Sequence, residues 1–247
     1  MKQKKEKFLN TYVNNTTLDE VIHTVDELIK LDDPSYIVPI NVDVVVKIEE
    51  DNYLKEIVDN ADLVLIDGQP LIWISNFYKQ PIKEKISGSD LVPRICKEGA
   101  KKGYRFFILG GQEGVAESAR AEMMKIYKGI NVVGTYAPPL GFEKNVHEIK
   151  KINEMILNAN IDILIVCLGC PKQEKWIYEN MNQYNAKLSI CAGATVDFMA
   201  GNIKRAPKWM SNNGLEWFYR FYKEPKRLCT RYFVDDVKIL SLIKKYK

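Results

Sequence analysis

Residues 161–181 read IDILIVCLGCPKQEKWIYENM and decide the fold. The apolar run at 161–168 predicts a buried β-strand, and Gly169 marks its end. Pro171 suits the first turn of a helix, and the pattern behind it predicts a helix that runs to Tyr184. The stretch is therefore one strand–turn–helix unit of an α/β fold.

The same unit recurs along the chain. The other predicted strands are at 36–40, 62–66, 105–109, 130–133 and 187–191, and helical patterns separate them. This alternation, with short connections, predicts a parallel sheet with helices on both faces. Beyond about residue 205 the strands stop, and helices are predicted at 207–212, 215–223 and 225–245. We therefore predict a core at 1–203 and a helical C-terminal appendage at 204–247.

The appendage differs from the core in charge. From residue 204 onward there are twelve Lys/Arg and four Asp/Glu, a balance of +8 within a total of +4, so the core is mildly acidic. Large aromatic residues are interleaved with the basic ones. Arginines can hold a pyrophosphate and aromatic rings can lie at a bilayer interface. The same composition also suits RNA, or a solvated basic face over an aromatic core.

The cysteines and the hydropathy set further limits. Five scattered cysteines are not a disulfide framework and indicate a reducing cytosol. The charged N-terminus does not have the pattern of a signal peptide, and no apolar run has the roughly 18 residues of a membrane span. We expect any membrane contact to be peripheral.

Candidate site residues follow the predicted strand ends. These positions are Asn41, Asp67-Gly68, Gly110-Gly111, 169–174 and 193–197. In a parallel sheet the carboxyl ends of the strands share one edge, where ligands bind. Asp67 can serve there as a base for a hydroxyl nucleophile, or it can be a turn residue that caps the next helix.

Two of these segments suit phosphate. Gly110-Gly111 and Gly114 match the dinucleotide pattern G-x-G-x-x-G imperfectly, so we favour a backbone contact to a nucleotide over a full NAD site, with a plain tight turn as the alternative. At 169–174, a helix N-terminus and Lys172 attract anions, and Gln173 and Glu174 can bond a base, ribose or sugar hydroxyl. Ordinary helix-start chemistry explains the same residues.

The residues favour a site without a metal or cofactor. Asn41-Val42-Asp43 has one carboxylate, which is weak for Mg²⁺ or Mn²⁺. Cys167 and Cys170 have metal spacing, but no second pair completes a site, and core packing is the better interpretation.

Two other functions compete on the residues alone. One is a nicotinamide-dependent oxidoreductase or epimerase, although its full fingerprint is absent from the sequence. The other is a non-catalytic nucleic-acid-binding protein. The acidic residues Asp67, Glu174 and Asp197 disfavour it, and we expect no nucleic-acid partner.

Several segments, in order along nearly the whole chain, resemble the WecG/TagA/CpsF glycosyltransferase family (glycosyltransferase family 26). The segments that carry the resemblance are Asn41-Val42-Asp43, 61–68 (ADLVLIDG), 86–91 (ISGSDL), 107–111 (FILGG), 169–176 (GCPKQEKW) and 193–231.

The resemblance implies a Rossmann-like core and an inverting transfer of a sugar without a metal. The donor is a UDP-sugar, expected to carry an N-acetylhexosamine such as N-acetylmannosamine. The acceptor is an undecaprenyl-diphosphate-linked sugar at the cytoplasmic membrane face, in wall teichoic acid or exopolysaccharide synthesis. An aromatic surface of the chain can also support a homo-oligomer.

The resemblance also implies roles for single residues. Asp67 is the proposed base, and the arginines that match those gripping the lipid diphosphate are Arg220, Arg227 and Arg231, to which we add Arg205. The residues predicted to bind the donor are Asn41, Gly68, Lys85, Gly110, Gly111, Gly169, Lys172, Gln173, Glu174, Gly193 and Asp197.

Two positions depart from the family pattern. Many relatives have Thr where this chain has Pro39, and Arg where it has Lys85. A hydroxyl contact is absent at the first position, and a point charge replaces a bidentate fork at the second. A different donor sugar explains both departures, and so does neutral sequence drift.

Overall fold

A computed structural model describes residues 4–31, 33–204, 206–207, 210, 214–223 and 225–247, with only the backbone at 227. The strands are β1 (Lys5–Phe8), β2 (Thr11–Asn14), β3 (Ser35–Ile40), β4 (Leu63–Ile66), β5 (Arg105–Gly110), β6 (Asn131–Tyr136), β7 (Ile163–Cys167) and β8 (Leu188–Cys191). β1 and β2 form a hairpin, and the others form one sheet in the order β4-β3-β8-β7-β5-β6.

The helices alternate with the strands of the large sheet. They are α1 (Leu18–Lys30), α2 (Val42–Glu50), α3 (Asn52–Asn60), α4 (Gln69–Phe77), α5 (Gly88–Lys102), α6 (Val115–Ile126), α7 (Val146–Ala159), α8 (Lys172–Tyr184), α9 (Thr195–Met199), α10 (Glu216–Lys223), α11 (Pro225–Thr230) and α12 (Ile239–Lys245). Short 3₁₀ turns lie at Phe142–Lys144 and Asp236–Lys238, and a π-helical segment lies at Arg231–Asp235.

The predicted α/β fold is confirmed. The β3–β8, β7–β8, β5–β7 and β5–β6 pairings are all parallel, and helices surround the sheet. Every residue of β3, β4, β7 and β8 is buried, as expected for strands covered on both faces. Of the helix predicted at 207–212, only 207 and 210 lie within the described residues.

The N-terminal hairpin was not predicted. β1 has the sequence KEKF, in which Phe8 is the only apolar residue, so it lacks the alternation that marks a strand. Lys5 pairs with Asn14, and the two-residue turn contains Leu9 at a φ of 51°. The hairpin packs its second strand against β4.

The chain divides into two compact units. Unit 1 comprises Met1–Thr17, Pro39–Ser87 and Lys204–Lys247, and unit 2 comprises Leu18–Val38 and Gly88–Ile203. The predicted domain division at residue 203 stays a prediction, but the segment after it belongs to the same unit as α2, β4 and α4.

The C-terminal helix is held inside unit 1 by polar contacts. The hydroxyl of Tyr78 donates to the carbonyl of Ile243 at 2.8 Å. Lys245 donates to Glu49 at 2.6 Å. Burial raises the pKa of Glu49, but the hydrogen bonds from Lys245, Asn10 and Tyr246 outweigh burial and lower this pKa overall. The buried residues Ile239 and Leu242 add apolar contact. Among the described residues, no helix combines the length and hydropathy needed to cross a bilayer.

Candidate functional site

Gly110, at the end of β5, lies too close to the neighbouring strand for any side chain. Its φ is +110°, and a Cβ atom would lie 2.4 Å from the carbonyl oxygen of Cys167. The next residue, Gly111, donates its N–H to the same carbonyl at 3.1 Å. Only glycine permits this approach, which keeps β5 paired with β7 up to their carboxyl ends. The contact of this turn with a phosphate stays a prediction.

The turns after β7 and β8 are joined by one buried side chain. Gln173 accepts the N–H of Gly193 at 3.0 Å and donates to Glu174 at 2.8 Å. Gln173 is 5% exposed and Glu174 is fully buried. The structure therefore gives both residues a positioning role. Their direct contact with a ligand stays a prediction.

Gly169, Gly193 and Asp197 are further predicted positions in unit 2. Gly169 and Gly193 have positive φ, and a Cβ on either would meet no atom within 4 Å, so open space lies beside both turns. Asp197 is half-buried in the first turn of α9, and its carbonyl accepts the N–H of Asn202 at 3.0 Å.

Lys172 is paired with a residue that the sequence analysis missed. Its Nζ lies 2.7 Å from Glu143, and this hydrogen bond lowers the pKa of Glu143. Lys172 remains 43% exposed. Glu143 therefore stands as an intramolecular anion at the N-terminus of α8, where an external phosphate is expected. Nothing in the 137–145 loop pattern marked this carboxylate.

Two buried cysteines near these turns, Cys167 and Cys191, are structural. Burial raises the pKa of Cys167 to about 12 and that of Cys191 well above its ordinary value, so both thiols stay protonated. The prediction that Cys167 packs in the core is confirmed. Among the described residues, no group of three or more His, Cys, Asp or Glu is arranged to hold a metal ion.

Unit 1 holds Asp67 at the end of β4, where its backbone is fixed on both sides. The N–H of Asp67 donates to the carbonyl of Ile40 at 2.7 Å, and the carbonyl of Ile66 accepts the N–H of Ile86 at 2.8 Å. The peptide group between Ile66 and Asp67 is thus hydrogen-bonded to both neighbouring segments. Asp67 is half-buried, and these two hydrogen bonds hold the backbone from which its side chain extends.

Gly68, which follows Asp67 in the chain, lies close to Asn41. A Cβ on Gly68, whose φ is +111°, would be 4.0 Å from the Cβ of Asn41. The side chain of Asn41 accepts the N–H of Val44 at 3.2 Å and caps α2. Asn41 stays partly exposed, so its predicted donor contact remains open to test while its capping role is evident.

The two departures from the family pattern lie in the same unit. Pro39 is buried within β3. Lys85 Nζ lies 3.6 Å from Glu216, and each side chain is about one-fifth exposed. The segment beside Asp67 is therefore joined to α10 of the appendage.

The predicted diphosphate arginines have different surroundings. Arg231 lies 3.8 Å from Asp43 and 3.9 Å from Asp236, and Lys47 also bonds Asp43 at 2.9 Å. Arg220 is half-buried on α10, and Arg227 belongs to α11. Arg205 lies outside the described residues.

Asp236 makes the stability of unit 1 depend on pH. Burial raises its pKa from 3.8 to about 6, and Asp43 and Asp235 reinforce this shift while Arg231 and Lys47 oppose it. Because the folded pKa exceeds the unfolded one, the stabilisation is fully present below pH 3.8 and lost as pH rises through 6. We expect this group to lower the free energy of unfolding by about 1 kcal/mol between roughly pH 5 and 7.

Urea unfolding of the parent and of Asp236→Asn at both pH values tests this expectation. As pH rises, the free energy of unfolding of Asp236→Asn should increase relative to that of the parent. Asp19→Asn, which alters a carboxylate that is 80% exposed, is the control and should show no such change. An equal pH dependence in the parent and in Asp236→Asn would contradict the assignment.

Parallel α/β sheets with glycine turns after the strands are typical of proteins that bind phosphate-bearing ligands. The chain belongs to the glycosyl transferase WecG/TagA/CpsF family, whose model matches residues 6–247. The family predicted from the sequence is confirmed, and it favours a glycosyltransferase over the oxidoreductase and nucleic-acid-binding alternatives.

Two relatives carry the same name, N-acetylglucosaminyldiphosphoundecaprenol N-acetyl-beta-D-mannosaminyltransferase. The one from Bacillus subtilis (strain 168) is 29% identical over 172 residues, which are 70% of this chain and 65% of the relative, just under two thirds of its length. The one from Bacillus spizizenii (strain ATCC 23059 / NRRL B-14472 / W23) is 24% identical over 216 residues, 87% of this chain and 82% of the relative.

Proposed function

We propose that this protein transfers N-acetylmannosamine from its UDP derivative to N-acetylglucosaminyldiphosphoundecaprenol, with inversion, in wall teichoic acid or a related surface polysaccharide. The observation that carries the proposal is the family match over residues 6–247. The names of the two Bacillus relatives supply the sugar and the acceptor.

In the proposed reaction Asp67 is the general base. The acceptor hydroxyl loses its proton to this carboxylate as its oxygen attacks the anomeric carbon. The bond from that carbon to UDP breaks on the opposite face, and UDP leaves with the bonding electron pair. The hydrogen bonds on both sides of the peptide group before Asp67 support this role, because a base must be held within reach of the proton it takes.

The leaving diphosphate gains negative charge, and positive or N–H groups stabilise it. Candidates in unit 2 are the backbone at Gly110-Gly111 and the α8 N-terminus with Lys172, and in unit 1 the candidate is Lys85. The donor set supports a reaction without a metal, because the carboxylate of Asp43 already bonds Lys47 and lies near Arg231.

The lipid carrier requires contact with a membrane, and the appendage is suited to it. Trp217, Phe218 and Tyr222 on α10 are exposed, next to basic residues such as Lys223. Aromatic and basic residues together favour the headgroup region of a bilayer. We place the enzyme at the cytoplasmic face as a peripheral protein, and we propose Arg220, Arg227 and Arg231 as the residues that bind the lipid diphosphate.

The ion pair between Lys172 and Glu143 leads to a prediction about the affinity for UDP. Glu143→Gln removes the competing anion, so the dissociation constant for UDP should fall by about two- to fivefold. Lys172→Gln should raise it about tenfold, since a charge-assisted contact is lost. Isothermal titration calorimetry measures both.

Glu154→Gln is the matched control for Glu143→Gln, because it removes another surface carboxylate that pairs with a lysine, 3.7 Å from Lys150. It should leave UDP binding unchanged. If Glu143→Gln weakened UDP binding instead, the loop carboxylate would be supporting the ligand rather than competing with it.

The experiment that tests the function is a panel of UDP-sugars with a short-chain lipid-diphosphate N-acetylglucosamine acceptor, read by UDP release. UDP-N-acetylmannosamine should give the highest turnover, and release should require the acceptor. Turnover with another UDP-sugar alone would retain the glycosyltransferase class and refute the sugar. No acceptor-dependent release with any donor would refute the proposal.

A further inference from the structure

Unit 1 contains a cavity outside the residues assigned to catalysis. Its volume is about 360 Å³. It lies where the β1–β2 hairpin, the end of α4 and the C-terminal residues meet. The lining residues are Lys7, Leu9, Phe77, Tyr78, Lys79, Gln80, Tyr246 and Lys247.

The charged side chains that line this cavity are all basic. Three lysines, Lys7, Lys79 and Lys247, contribute ammonium groups, and none of the described lining residues has a carboxylate side chain. The tyrosine hydroxyls are already bonded, since Tyr78 donates to Ile243 and Tyr246 donates to Glu49 at 3.1 Å. The lining therefore offers positive charge and aromatic carbon, which fits an anion attached to an apolar group.

The backbone around the cavity is held in an uncommon conformation. Among the described residues, four that are not glycine have a positive φ, and two of these are asparagines, which tolerate it. The other two, Leu9 and Lys79, both line the cavity, with φ of 51° and 56°. Strain of this kind costs about 1–3 kcal/mol and clusters at functional sites.

Trp73 and Phe77 form an exposed aromatic ridge on α4, and Phe77 also lines the cavity. Phe77, which lines the cavity, is 59% exposed, and Trp73 is four residues earlier on α4 and 52% exposed. Residues four apart share one face of a helix. The Nζ of Lys247 lies 5.1 Å from the centre of the Phe77 ring. Large rings beside lysines are characteristic of the bilayer interface.

We propose that this cavity binds the headgroup phosphate of an anionic phospholipid, with Trp73 and Phe77 inserted among the adjacent lipid chains. The lysines neutralise the phosphate, and the ridge supplies the apolar contact that a free anion would not use. This is a second membrane contact, separate from the appendage arginines. It does not depend on the proposed transfer reaction.

Flotation of the full chain with phosphatidylcholine vesicles, with and without phosphatidylglycerol, tests the proposal. The triple variant Lys7→Gln/Lys79→Gln/Lys247→Gln should lose binding to the anionic vesicles by on the order of a hundredfold, about fivefold for each lysine. Trp73→Ala/Phe77→Ala should also weaken vesicle binding. UDP release with a short-chain acceptor and no vesicles should match the parent in both variants.

The control carries the same change in charge at exposed lysines of unit 2, Lys101→Gln/Lys125→Gln/Lys150→Gln. It should keep most of its vesicle binding. An equal loss in the control would mean that net charge alone acts, and would overturn the site. Calorimetry with inorganic phosphate gives the remaining test. If the cavity bound inorganic phosphate as tightly as the protein binds anionic vesicles, it would be a site for a free anion and not for a lipid. If the triple variant lost turnover in the absence of vesicles, the proposal that this cavity is separate from the residues of the transfer reaction would be overturned.

Discussion

Replacing Asp67 by asparagine should lower kcat by about 10²–10⁴-fold, with a much smaller change in KM. The variant keeps the size and the backbone hydrogen bonds of this residue and removes only the group that takes the proton. Steady-state UDP release with the lipid-diphosphate acceptor measures the effect. Circular dichroism and thermal unfolding show whether the fold is kept.

Asp19→Asn is the matched control, because it removes an exposed carboxylate that bonds Arg94 at the surface. It should turn over at the parent rate. A folded Asp67→Asn enzyme with near-parent kcat would show that another group accepts the proton. A rise in KM with unchanged kcat would give Asp67 a role in substrate binding instead.

Gly110→Ala should be strongly destabilising. A methyl group would lie 2.4 Å from the Cys167 carbonyl oxygen, and the φ of +110° is unfavourable to any side chain. We expect a loss of about 3–5 kcal/mol in the free energy of unfolding, because β5 and β7 must separate to admit the methyl group. For a protein of this size the melting temperature should fall by about 10 °C or more.

Gly169→Ala separates steric contact from backbone conformation. Gly169 also has a positive φ, +76°, but a Cβ there meets no atom within 4 Å. Its cost should be about 1–2 kcal/mol, the penalty of the left-handed conformation alone. Equal destabilisation by the two substitutions in urea unfolding would mean that the approach of Gly110 to Cys167 does not determine the effect.

Buried parallel strands were the part of the fold most accessible to sequence reasoning. β7 and β4 are continuous apolar runs, and their positions follow from hydropathy alone. β6 was predicted to stop at 133 but runs to Tyr136. In the sequence Gly134 indicates the end of the strand. A Cβ there would lie 2.5 Å from the ring of Phe107 on the neighbouring strand β5, so this ring fills the space that a side chain at 134 would occupy. That contact is not visible in sequence.

The residues of the candidate site were also predictable only in part from the sequence. Asp67 and Gly110 could be chosen as candidates because the ends of buried strands are predictable from the sequence. Their roles in the reaction stay predictions. Glu143 was missed because its partner Lys172 is 29 positions away and its loop has no pattern. The burial of Gln173 and Glu174 also depends on the neighbouring β8 turn, which local sequence does not encode.

Unit 1 is made of three separate segments of the chain, and this affects the order in which the protein can fold during translation. Asp67 belongs to the same compact unit as residues 204–247, whereas all the residues of unit 2 precede them. Because domains fold as their residues emerge, the nascent chain can complete unit 2 while the surroundings of Asp67 are still unfinished. Translation would thus complete the surroundings of Asp67 last, after the turns at Gly110, Gly169 and Gly193 are already in place.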